Sequence, residues 1–136
     1  MIALTYCMHR LPHLTHAQFT TYWYEQHAPL VRRHAEVLRV RRYVQLHAMD
    51  SELNRRVARF RRGPEPFDGI AQLWYDSREA FEAAAADPAA QAAVQELLQD
   101  ERRFIDLARS PVWLNDIREV VSAGAAAEDQ PAGGQP

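Results

Sequence analysis

IALTYCMHRLPHLTHAQF, residues 2–19, decides the fold, because it sets a strand, a break and a helix start in immediate succession. Residues 2–9 are apolar and rich in strand formers. Ile2, Leu4, Tyr6 and Met8 share one face of such a strand, and Ala3, Thr5, Cys7 and His9 share the other. Pro12 cannot continue a central ladder, so the strand ends before it. Thr15 then opens a helix. Thr15 and Gln18 have capping-box spacing, and Leu14 is placed to staple onto Phe19.

Working outward, the helix that begins at Thr15 carries an apolar face of Phe19, Tyr22 or Trp23, Leu30, Val31 and Leu38. Pro29 lacks a backbone donor and disfavours helical geometry at Ala28, so a kink belongs there. RVRRYVQLHAM (39–49) reads as a half-buried strand. The arginine-rich stretch 50–66 loses the pattern and reads as a loop with one helical turn. FDGIAQLWYD (67–76) is a third strand, in which Gly69 marks a bulge or a close backbone approach. Ser77 caps a helix to about Ala86. Asp87 and Pro88, as N-cap and first helical residue, start another, with Val94, Leu97, Leu98, Phe104 and Ile105 at helical spacing. SPVWLNDIREVV (110–121) is the last strand. Residues 1–122 form one domain, and 123–136, with no large apolar residue, are expected to be a disordered tail.

Strand, helix, two strands, helices and strand give the βαββαβ order of a ferredoxin-like α+β domain, with a four-stranded antiparallel sheet covered on one face. A domain of this size has no element left for the second face, so a homodimer is expected.

Composition narrows the function. The formal net charge is -2, and no basic run matches a nucleic-acid-binding motif, which argues against nucleic acid as a partner. The 16 basic residues other than histidine are all arginine, so Schiff-base chemistry on lysine is excluded. The single cysteine, Cys7, forbids an internal disulfide and fits a reducing cytoplasm. The N-terminus has no basic start or small-residue cleavage site, and no apolar run reaches membrane-spanning length.

Six histidines hold most of the candidate chemistry. His27 lies four residues after Trp23 and eight after Phe19, on the buried side of the helix and beside Pro29. It is either a general acid or base, or a core histidine bonded to a carbonyl that Pro29 leaves free. His27 and His34 are about 10 Å apart along a helix, too far to share one metal. His9, His13 and His16 lack a carboxylate or thiolate at motif spacing, so no metal site is expected. Cys7 and His9 share a strand face, but Cys7 reads as a small buried hydrophobe. Tyr43, Gln45 and His47 alternate onto one face of the second strand, and Trp74 and Tyr75 come from the third. Whichever set faces the helices lines a cavity suited to a flat oxygenated ring. Arg55 to Arg62 form a positive cluster, read as a solvated loop, or as a lid or dock for a carboxylate or an acidic carrier protein.

YWYEQHAPLV, RRYVQLHA, PFDGIAQLWYDS and ERRFIDLARSPVWL, in this order across residues 1–121, resemble the EthD family. The H-x-P-L element and the D-G-x-A-x-L-W-x-D-S strand carry most of the likeness. The resemblance implies a dimeric α+β barrel. The family includes a fuel-ether degradation protein without assigned chemistry, and dehydratases and decarboxylating enzymes of aromatic polyketide pathways. Related barrels include cofactor-free monooxygenases, cyclases and lactone isomerases. The implied activity is cofactor-independent acid–base catalysis on a polyketide-like aromatic or polyphenolic small molecule, by dehydration, cyclisation or decarboxylation. A cofactor-free monooxygenase of an electron-rich phenol, or a non-catalytic binding protein, are the alternatives. Candidate catalytic residues are His27, Asp68 and His47, with Asp68 or Asp106 as orienters of an imidazole. Candidate substrate-binding residues are Tyr6, Trp23, Tyr43, Trp74 and Phe104. Nothing in the family motifs corresponds to residues 50–66.

Overall fold

A computed structural model describes residues 1–124 of the chain. Strands β1 (Ile2–Met8), β2 (Arg42–His47), β3 (Gly69–Tyr75) and β4 (Val112–Asp116) form one sheet in the order β2-β3-β1-β4. Every neighbouring pair is antiparallel. This is the ferredoxin-like α+β fold that the order of elements predicts. The tail expected for 123–136 falls, from residue 125 onward, outside the described residues.

The helix start behaves as its chemistry requires. Thr15 accepts from the Gln18 backbone at 3.0 Å, and the Gln18 side chain accepts from Thr15 N–H at 2.9 Å, closing the capping box in front of α1 (His16–Tyr22). The kink expected near Pro29 takes a definite form. Trp23–His27 make one π turn, in which the Ala28 N–H donates to the Trp23 carbonyl, and α2 (Ala28–His34) follows with Pro29 in its first turn. Further on, Ser77 caps α4 (Arg78–Ala86) and Asp87 caps α5 (Pro88–Glu101). The nine residues of α3 (Glu52–Phe60) lie between β2 and β3.

Pairing register sorts side chains between the two sheet faces. Tyr6 stands opposite Ala71 and Val112, Leu4 opposite Leu73 and Leu114, and Tyr43 opposite Leu73. These residues face the helices, where Met8, Phe19, Trp23, Ala71, Phe104 and Ile105 form the central core. Val31, Leu38, Ala84, Ala90, Ala93 and Leu97 form a second core between α2, α4 and α5. The other sheet face, with Val44, Leu46, Ile70, Trp74 and Trp113, has no element over it among the described residues.

Three expectations need correction. Residues 50–66 are not a loop with a single turn, since α3 runs through them. Glu52 holds Arg55 at 2.9 Å and Arg59 at 2.8 Å, ties that an apolar-periodicity reading overlooks. Leu53, Val57 and Phe60 still form a stripe along α3, but all three are exposed. Val94 lies outside the buried stripe of α5, which runs through Ala90, Ala93 and Leu97. The last strand stops at Asp116, and Val120 and Val121 project into solvent, 89% and 85% exposed.

Of the two readings of Gly69, close approach is the one realised. A Cβ there would sit 2.4 Å from Cζ3 of Trp23, whose ring is buried and stacked on His47 at 4.5 Å. Gly69→Ala is therefore expected to overpack the core and cost about 1–3 kcal/mol. Thermal unfolding measures this, and an unchanged Tm would mean that the indole has room to swing aside.

Candidate active site

The site lies where the π turn and the end of α5 meet the helix side of the sheet. The wide turn brings His27 inward, where it is 5% exposed and packs on Phe104 with ring centroids 5.0 Å apart. Its Nδ1–H donates to Oδ2 of Asp100 at 2.7 Å. The Tyr22 hydroxyl donates to the other oxygen of the same carboxylate at 2.5 Å. Both oxygens of Asp100 are thereby engaged, and the tautomer of His27 is fixed. No described residue hydrogen-bonds Nε2 of His27. Burial pushes the His27 pKa down, and the Asp100 carboxylate opposes that shift without cancelling it. The ring therefore stands neutral near pH 7, with Nε2 as a free acceptor.

Glu101, the next residue, is half-buried and continues the inward stripe of Ala90, Ala93 and Leu97. No described side chain hydrogen-bonds its carboxyl. Burial, and then the charge of Asp100, push its pKa up to about 7. The charge of Glu101 in turn reaches two phenols on the sheet. Tyr6 on β1 is raised by burial and then by Glu101. Tyr43 on β2 is raised by burial and to a lesser degree by Glu101, against hydrogen bonds from Gln45 and Trp23. Leu4, Leu73, Val112 and Leu114 continue this side of the sheet as an apolar floor, and Val112 and Leu114 are uncovered.

Along β2, Gln45 donates to the Tyr43 hydroxyl at 2.8 Å and to the Trp23 carbonyl at 3.2 Å, and it accepts from His47 Nε2 at 2.8 Å. These bonds link His47, Gln45 and Tyr43 beneath Trp23. Burial, then the nearby His16, push the His47 pKa down.

The candidate residues divide accordingly. Tyr6, Trp23, His27, Tyr43, His47 and Phe104 all lie between the helices and the sheet. Trp74 does not, because one residue of register puts it on the uncovered face, where Arg42 stacks over its ring at 5.0 Å. Asp68 is also elsewhere. It accepts from the Arg10 backbone at 2.8 Å, the Arg10 guanidinium at 2.7 Å and His16 Nδ1 at 2.8 Å. Those bonds outweigh its burial and hold its pKa low. Asp68 does orient an imidazole, but that of His16, whose other nitrogen meets the Ala48 carbonyl at 2.8 Å. Asp106 pairs with Arg109 at 3.6 Å. Asp100 and Glu101 were missed by the sequence reading. Their signal was available, since two acids at the end of an inward-facing stripe are unusual unless paired or functional.

A cleft of about 780 Å³ opens at the end of the sheet, lined by His9, Arg10, His16, Arg55, Arg59 and Asp68 among others. Its charged groups largely satisfy one another through Arg10–Asp68, Arg55–Glu52 and Arg59–Glu52. Among the described residues, no group of three or more His, Cys, Asp or Glu could hold a metal ion. Nor is any described helix long and apolar enough to cross a membrane.

Fold and site together define a ferredoxin-like α+β domain with an ionisable cluster between its helices and its sheet. The EthD domain matches residues 11–108, and the chain belongs to the EthD family. No curated protein matches the sequence. Among solved structures, an EthD family protein from Bacillus halodurans C-125 shares 17% identity at a TM-score of 0.56, over 87% of this chain and 100% of that one. HapK from Hahella chejuensis shares 13% identity at 0.53, over 91% and 100%. SnoaB, a cofactor-independent oxygenase from Streptomyces nogalater, shares 16% identity at 0.52, over 88% and 95%. At these identities the likeness is one of fold.

Proposed function

We propose that the chain is a cofactor-independent acid–base enzyme acting on a polyketide-like aromatic or polyphenolic small molecule, with His27 as its general base. The observation that carries this reading is the state of the His27 ring. Asp100 fixes its Nδ1–H, burial keeps it neutral, and Nε2 has no hydrogen-bond partner among the described residues. An oriented neutral imidazole of this kind takes a proton well near pH 7. In this reading the phenols of Tyr6 and Tyr43, on the helix-facing side of the sheet, hydrogen-bond an oxygen of the substrate, and Leu4, Leu73 and Leu114 offer its rings a floor. We also propose that two copies stack their uncovered sheet faces as a homodimeric barrel, because Leu46, Trp74 and Trp113 lie on a face that no described element covers.

The test uses 1-tetralone, whose C2 protons exchange with deuterium only when a base removes them. Proton NMR in heavy water is expected to show protein-dependent exchange, falling about 10²–10⁴-fold in His27→Gln. Glutamine hydrogen-bonds but exchanges no proton near neutrality. Equal exchange in wild type and His27→Gln would make His27 a structural residue. No exchange in either would favour a non-catalytic binding protein. The likeness in fold to SnoaB favours a second reading, in which the same base ionises a phenol that then reduces oxygen. Oxygen uptake on adding 1,3-dihydroxynaphthalene separates it from the first.

A further inference from the structure

We infer that α3 is a surface anchor, whose outer face seats the protein on an anionic lipid bilayer. This goes beyond the acid–base reading and does not depend on it.

The helix is turned the opposite way from the others. β2 and β3 are neighbours in the sheet, so a short hairpin would join them, yet residues 48–68 run through α3 instead. A helix advances about 100° per residue, which keeps Leu53, Val57 and Phe60 within about 60° of one another. Asn54, Arg55, Ala58 and Arg59 fall on the opposite side, and these four line the cleft at the end of the sheet. So α3 turns its polar side to its own domain and its apolar side away. Leu53, Val57 and Phe60 are 59%, 57% and 85% exposed. The other helices do the reverse, and bury Phe19, Val31, Ala84 and Leu97. In water alone, the arrangement of α3 is the costly one.

Charge says what meets this face. Five arginines and one acid stand between Glu52 and Arg62, in a chain whose net charge is -2. Glu52 is held by Arg55 and Arg59, and the nearby acids Asp50 and Glu65 line the cleft on the inner side. By the same rotation Arg56 edges the apolar stripe on one side and Arg61 on the other, with Arg62 just beyond. Among the described residues, none of these three makes an ion pair. The Arg61 guanidinium lies over the Phe60 ring at 5.8 Å. Unpaired cations around an apolar stripe match a surface that is negative outside and apolar beneath, which is an anionic bilayer. The phenyl and the two aliphatic chains enter the headgroup region while the guanidiniums stay at the phosphates. A protein partner fits less well. A stable protein interface takes about 800 Å² from each side, and three side chains on one convex helix fall short of that. At nine residues, α3 can lie on a bilayer but not cross it.

The test is co-sedimentation of the full chain with vesicles. Wild type is expected to pellet with an equimolar mixture of phosphatidylcholine and phosphatidylglycerol, to stay in solution with phosphatidylcholine alone, and to be released by salt. Arg56→Gln together with Arg61→Gln should weaken the partitioning about 25-fold, at about fivefold for each arginine. Phe60→Ser should weaken it on the order of tenfold. All three positions are exposed, so the variants should melt as wild type does. A wild type that ignores the mixed vesicles overturns the proposal. So does one whose binding survives both variants, because another surface then does the work. Two results would give the stripe to a different occupant and overturn the proposal equally. One is a wild type that stays off the vesicles and has a mass in sedimentation that falls in Phe60→Ser, which assigns a second copy. The other is retention on immobilised poly-glutamate without vesicle binding, which assigns an acidic protein.

Discussion

Glu101→Gln is expected to make the protein more stable at pH 8.5. Folding raises the Glu101 pKa from 4.5 to about 7. A group raised on folding binds more protons in the native state. Its favourable contribution is complete below 4.5 and is lost as pH rises through about 7. Above that, the native state holds a charged carboxylate against burial and against Asp100, a penalty of roughly 3 kcal/mol at most. Glutamine fills the same space without the charge. Its Tm should exceed that of wild type by roughly 5–10 °C at pH 8.5, and the difference should vanish near pH 4. Calorimetry at the two pH values checks this, and a constant difference would mean that the carboxyl titrates as if exposed. His27 acts in the opposite sense. Its pKa is lowered on folding, so the stability it contributes is present above 6.5 and lost as pH falls through the lowered value. An acid and a base that both oppose their charged forms fit a site kept for chemistry.

Asp100→Ala should be the most damaging substitution in the site. It would leave two inward donors, the Nδ1–H of His27 and the Tyr22 hydroxyl, without their acceptor. Removing one partner from such a buried cluster costs about 3–5 kcal/mol. Asp100→Asn keeps one acceptor oxygen and should lose clearly less. Urea unfolding of the three proteins ranks them. Equal losses for alanine and asparagine would point to the charge of Asp100 rather than its geometry. The asparagine protein should also exchange deuterium into 1-tetralone more slowly than wild type, because its amide can present a donor to His27 and unfix the tautomer.

The fold was legible because local signals and long-range order agree. The capping box at Thr15 and Gln18, the caps at Ser77 and Asp87, and the alternation in β1 each fix an element, and their order fixes the topology. His27 was legible for the same reason, since its spacing from Phe19 and Trp23 points it inward. Asp100 was not, because its partner lies 73 residues away in the chain and no periodicity joins them. Asp68 misled for the converse reason. It stands in a family-like segment, but the turn before β3 turns it toward Arg10 and His16. Trp74 misled through parity, since neighbouring positions on a strand face opposite ways and only pairing register says which way is in. The α3 helix was hidden by its exposed stripe, which an isolated helix of its length would not keep ordered in water.

The π turn has a geometrical consequence for how this chain can vary. Phe19, Trp23, His27 and Val31 recur every fourth residue, and all four are buried. In a regular helix a step of four residues overshoots a full rotation by about 40°, so such a row winds away from any flat surface. The wider turn at Trp23–His27 takes up that excess midway and acts as a phase corrector between two otherwise ordinary segments. Deleting one residue from 24–26 would space Phe19, Trp23, His27 and Val31 four, three and four apart, which a regular helix keeps within about 60° of one another, so the π turn should be lost with His27 still facing inward. The angular phase of the helix, rather than the identity of exposed residues such as Tyr24, is what this segment has to preserve.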